Sequence, residues 1–138
     1  MDLPAAANGE LLQHPRLGVL RWHPLERLWF AEVDRSRVRD GQIGVASAAD
    51  LDRAAGFLDW LGGNWESFRA NAAYQAFNHD LIWDEELDEH SLAAKLTVQS
   101  VTVRPTVVEV WLDTDGATTD HLLLAKLNGR HEIVGMEL

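Results

Sequence analysis

Three carboxylates and an imidazole crowd into one short stretch, WLDTDGATTDHLLLAKL, as Asp113, Asp115, Asp120 and His121. Oxygen and nitrogen donors gathered in this way are what a divalent cation takes as ligands. A metal-dependent hydrolase would use them to hold the ion and activate a water. An EF-hand calcium loop needs Gly at its sixth position and a bidentate Glu at its twelfth. Counted from Asp113, those positions hold Thr118 and Leu124, so the EF-hand is excluded. Asp-Gly is also a turn pair, because Gly takes positive φ and Asp bonds its own backbone. The stretch therefore reads first as a structural turn between strands, and the sequence calls for no metal and no cofactor.

A second cluster lies in NHDLIWDEELDEH. His79, Asp80, Glu86 and His90 are metal-ligand types, but zinc sites on helices favour two His one turn apart. His79 and His90 are separated by too much chain for that. The same segment holds Asp80, Asp84, Glu85, Glu86, Asp88 and Glu89, with Trp83 among them, and no basic residue falls between Arg69 and Lys95. Acidic runs are usually solvated surface. An exposed Trp inside one is also a fitting anchor for a basic protein partner. No GxSxG, SxxK, P-loop or GxGxxG motif occurs, so no nucleophile or phosphate cradle is marked by sequence.

The formal net charge is -10. Nucleic-acid binding draws affinity from cations on phosphates, so nucleic acid is a poor partner. An anionic membrane surface is disfavoured for the same reason. Against this background Arg16, Arg21, Arg27, Arg35, Arg37 and Arg39 crowd the first third. There is no cysteine, which removes disulfides, thiolate metal sites and thiol chemistry. The start carries no basic n-region or signal-like apolar run, and no stretch reaches membrane-spanning length, so a cytoplasmic location is expected.

These residues must be positioned by strands and helices that the pattern also indicates. LGVLRW and LWFAEV read as a hairpin across His23-Pro24, and QIGVA as a further strand after the Asp40-Gly41 turn. Ser47 with Asp50 is a capping-box variant opening a helix with Leu51, Ala54, Ala55, Leu58 and Leu61 on one face. Gly62-Gly63 should stop that helix with left-handed backbone. Asn64 should cap the next, which runs to about Phe77, and a short helix spans roughly 89–96. TVQSVTV, TVVEVWL, the segment up to Leu127 and HEIVGMEL form a meander, its last turn at Asn128-Gly129. Residues 1–13 read as a flexible N-terminal arm and 14–138 as one α+β domain. Its antiparallel sheet, an N-terminal hairpin plus a C-terminal meander, is packed on one face by two or three helices. Of the six Trp, Trp22, Trp60 and Trp65 are expected in the core, and at least one of Trp29 and Trp111 on the second sheet face.

His14, Pro15, Leu17 and Gly18, the run SLAAKLTVQSVTV, and an acidic turn leading to Asp120-His121 form a recognisable order. It resembles that of a loose group of bacterial α+β domains of unknown function, some resembling immunity proteins of bacterial toxin systems. The likeness spans His14 to Leu138. It implies a non-enzymatic protein that neutralises a cognate toxin by direct binding. Charge and motif content agree: an acidic chain without a catalytic signature suits a basic protein partner. The expected partner surface is Asp80, Trp83, Asp84, Glu85, Glu86, Asp88 and Glu89. Two alternatives stand beside it. One is the hydrolase built on Asp113, Asp115, Asp120 and His121. The other is a structural homo-oligomerising domain that pairs its last strand, through Ile133, Val134 and Met136, with another copy. Sequence leaves the oligomeric state open.

Overall fold

Among the described residues, eight strands pair in chain order into one sheet, and the helices fall between the fourth strand and the fifth. The computed structural model describes residues 10–138. Strands β1 (Leu11–His14), β2 (Gly18–His23), β3 (Leu28–Glu32) and β4 (Gln42–Val45) form a first antiparallel meander. A 3-10 turn (Ala48–Asp50) leads into helices α1 (Leu51–Gly63), α2 (Trp65–Asn78) and α3 (Glu89–Lys95). Strands β5 (Thr97–Val103), β6 (Val108–Asp113), β7 (Leu123–Leu127) and β8 (Ile133–Glu137) form the second meander. The architecture is the expected single-domain α+β arrangement, antiparallel at every pairing but one. β4 and β5 run parallel, because a helical crossover returns the chain to the end of the sheet it left.

Residues 1–9 of the expected arm lie outside the described residues. Leu11–His14 are ordered as β1, where Leu12 pairs with Leu20. His14 holds this edge. Its Nδ1 accepts the backbone N–H groups of Arg16 and Leu17, and its Nε2 reaches Asp52 of α1 at 2.6 Å.

Strand alternation puts one residue in two on the helix side. In register these form a row across seven strands: Leu20, Ala31, Ile43, Val101, Val110, Ala125 and Met136. All seven are buried. A second row carries Trp22, Trp29, Val45, Val103, Val108, Leu127 and Ile133, with the two indole rings 5.2 Å apart. Both Trp22 and Trp29 thus serve the core, and Trp111 is the one that emerges opposite, beside Leu124. The helices supply Ala54, Phe57 and Leu61 from α1, Phe68, Ala72 and Ala76 from α2, and Leu92 from α3. Small residues on α2 bring its backbone close to the sheet.

Three helix signals operate differently from expectation. The Ser47 hydroxyl accepts the Ala49 N–H, but it caps the 3-10 turn rather than α1 itself. Gly62 and Gly63 stay inside α1 without positive φ. Asn64 ends α1 and precedes α2, yet its amide donates back to the Trp60 carbonyl at 2.8 Å instead of capping α2. The Asn128-Gly129 signal does mark a hairpin. Its agent is the Asn128 side chain, which accepts the N–H groups of Arg130 and Glu132, while His131 takes the positive φ. Among the described residues no helix is long and apolar enough to cross a membrane.

Ile43 sits fully buried at the junction of the two meanders. Ile43→Ala should cost about 2–5 kcal/mol by urea unfolding, from lost transfer energy and the cavity left behind. Val19→Ala, on an exposed position of β2, should change stability by less than about 0.5 kcal/mol in the same measurement.

Candidate functional site

The acidic segment joins α2 to α3, and its carboxylates divide between local structure and solvent. Asp80 takes φ 55 just past α2. Its N–H donates to Phe77 O, and that of Leu81 to Ala76 O, which is the paired pattern of a Schellman helix end. Asp84 Oδ1 accepts the Glu86 N–H at 3.0 Å and tightens the loop. Asp88 is the N-cap of α3, accepting the Ser91 N–H at 2.7 Å. That bond to Ser91 holds its carboxyl below the usual carboxylate range. A depressed folded pKa means the contribution is complete above the unfolded value and is lost as pH falls through the folded one.

Glu85, Glu86 and Glu89 are exposed, with no ion pair from their side chains among the described residues. Trp83 is 71% exposed, whereas its neighbours Leu81, Ile82 and Leu87 pack on the core. The loop is therefore pinned by three apolar side chains and presents an indole flanked by free carboxylates.

The Asp113–His121 stretch runs from the last residue of β6 into the loop before β7, which is closed by residues the sequence did not single out. Thr114 and Thr118 are buried, with hydroxyls 2.7 Å apart. Thr114 Oγ1 accepts the Thr118 N–H, and Thr118 Oγ1 donates to His121 O at 2.6 Å. Gly116 takes φ +87 as its turn role requires, and Asp115 joins it at φ 50. The acids point to separate cations: Asp113 binds Arg39 at 2.5 Å and Asp115 faces Lys95 at 3.8 Å. Asp120 and His121 are exposed. Among the described residues no three His, Cys, Asp or Glu side chains come together as a metal cage, at this loop or around His79 and His90. Of the proposed pairing edge, Ile133 and Met136 face the core, and Val134, 63% exposed, faces out.

Sequence reasoning noted the arginine-rich first third but not where it leads. Arg35, Arg37 and Arg39, from the β3–β4 loop, join Arg69 of α2 around a cavity of about 500 Å³. Leu58 and Leu61 of α1 and Trp65 of α2 contribute its apolar wall. The signal was the uneven charge, yet convergence with Arg69 requires the helical crossover.

Comparison of the chain with protein-family models, with curated proteins and with solved structures gave no match.

Two substitutions separate structural acids and hydroxyls from functional ones. Asp80→Gly should raise stability by about 1 kcal/mol, because Gly adopts left-handed backbone without the Cβ penalty. Thermal unfolding reads this as a higher midpoint. Thr118→Val should lower stability by about 1–3 kcal/mol, since it leaves buried polar partners unsatisfied. A Thr118→Val protein with an unchanged unfolding curve would refute the role given to the threonine pair.

Proposed function

We propose that this is a non-enzymatic, acidic binding protein of the cytoplasm that neutralises a basic protein, a toxin, by docking it on the α2–α3 loop. The observation that carries the reading is Trp83, an exposed indole on a loop whose other apolar residues are anchored in the core. An indole held out in this way loses little conformational freedom on binding and offers a large apolar contact. Glu85, Glu86 and Glu89 surround it with uncompensated negative charge. Complementary charge raises the encounter rate and excludes acidic competitors, while the buried aromatic supplies most of the affinity. Asp80, Asp84 and Asp88 belong to the surface by position, but their hydrogen bonds shape the loop. The toxin as partner class rests on the resemblance to immunity proteins, and the net charge of -10 supports a basic partner independently.

The reading requires a toxin encoded beside this gene. Coexpression with that neighbour's product should protect cells, and the two purified proteins should form a complex whose association slows as salt rises. Trp83→Ala should weaken the complex by about 2 kcal/mol or more, the range of an interface anchor. Glu85→Lys with Glu86→Lys should slow association and flatten its salt dependence. Isothermal titration and stopped-flow mixing read these effects. A harmless neighbour, or full protection by a variant combining Trp83→Ala, Glu85→Lys and Glu86→Lys, would overturn the proposal.

A further inference from the structure

We infer that the arginine-lined cavity between the β3–β4 loop and helices α1 and α2 binds a small organic phosphate with a planar aromatic body. The site is distinct from the acidic loop and stands without the proposed function.

The first argument is charge. Four guanidinium groups line one cavity in a chain of net charge -10, and no Asp or Glu lines it among the described residues. Arg39 is committed to Asp113, and Arg69 to Glu66 at 2.9 Å. Arg35 and Arg37 make no side-chain hydrogen bond or ion pair among the described residues. Arg37 contributes only a minor share to the lowered pKa of Asp34, whose first cause is the bond from the Ser36 N–H. Two open guanidinium forks thus remain at the cavity. A carboxylate is satisfied by one fork. A phosphomonoester carries two charges and three terminal oxygens, which matches two.

The second argument is preorganisation. The loop that carries these arginines is fixed at both ends and in its middle. Val38 is fully buried, Asp34 O accepts the N–H groups of Arg37 and Val38, and the Arg39 and Asp40 N–H groups donate to Val98 and Gln99 of β5. Two glycines admit the arginine side chains closely. A Cβ at Gly41 would lie 3.1 Å from Arg35 Cγ, and one at Gly62 would lie 3.3 Å from an Arg37 terminal nitrogen. Gly62, which does not break its helix, has its use here.

The third argument is the wall. Leu58, Leu61 and Val98 give an apolar surface, and half-buried Trp65 offers a ring for stacking. A volume of about 500 Å³ accepts a ligand of a few fused rings with a phosphate. A polymer of phosphates would meet the repulsion of the whole acidic chain, which a single small anion largely escapes through screening.

The test uses the full chain at about 0.15 M ionic strength, where distant charges are screened, with three probes in isothermal titration: 1-naphthyl phosphate, inorganic phosphate and 1-naphthol. The naphthyl phosphate should bind one to one, at least tenfold tighter than either fragment. Arg35→Gln with Arg37→Gln should weaken it at least tenfold without moving the thermal midpoint, since both residues are exposed. Trp65→Leu should reduce naphthyl phosphate binding and leave inorganic phosphate unchanged. Glu85→Lys with Glu86→Lys should leave all three titrations as they were, which separates this site from the acidic loop. Absence of saturable naphthyl phosphate binding, equal affinity in the double arginine variant, or equal binding of 1-naphthol would overturn the inference.

Discussion

The parallel pairing of β4 with β5 is the constraint on which the other features of the molecule depend. Each meander alone is four strands. Parallel neighbours cannot be joined by a tight turn, so the chain must leave the sheet and come back along it. The helices make that journey, and in doing so they cover the buried rows of both halves. The seam is also where the β3–β4 loop reaches β5, through hydrogen bonds from Arg39 and Asp40 to Val98 and Gln99. One junction therefore sets the core, fixes the arginine loop and brings Trp65 and Arg69 beside it.

A common device closes the loops around this frame. Short polar side chains accept backbone N–H groups that no strand or helix can satisfy. Asp34 does this before Arg37, Asp84 and Asp88 do it in the acidic segment, Asn128 in the last hairpin, and Thr114 with Thr118 before β7. An unpaired N–H group costs free energy wherever water cannot replace the partner. Part of the high acid content thus serves the backbone, and counting carboxylates overstates the surface open to a partner.

Among the described residues, two groups of unpaired charge are held apart. Glu85, Glu86 and Glu89 surround Trp83 between α2 and α3, and Arg35 and Arg37 line the cavity formed by α1, α2 and the β3–β4 loop. Unlike charges on one small domain would neutralise each other if their side chains met. Here separate elements hold them, and each cluster keeps its own field.

By itself, the sequence determined the periodic features. Alternation in LWFAEV, TVQSVTV and TVVEVWL marked the strands, the spacing of Leu51 to Leu61 marked α1, and Asp-Gly at 115–116 marked a turn with positive φ, because these depend on neighbours in the chain. The tertiary structure alone decided the rest. Leu11–His14 became a strand because β2 offered an edge to pair with. Gly62 proved to be a seat for Arg37, a contact across 25 positions of sequence. The buried threonines at 114 and 118 replaced the aspartates as keepers of their loop, since burial raises the worth of a satisfied hydroxyl and local sequence carries no measure of burial. The arginine cavity and the parallel seam are of the same kind. Both arise where distant segments are brought together by hydrophobic burial, which is proportional to area and indifferent to order along the chain.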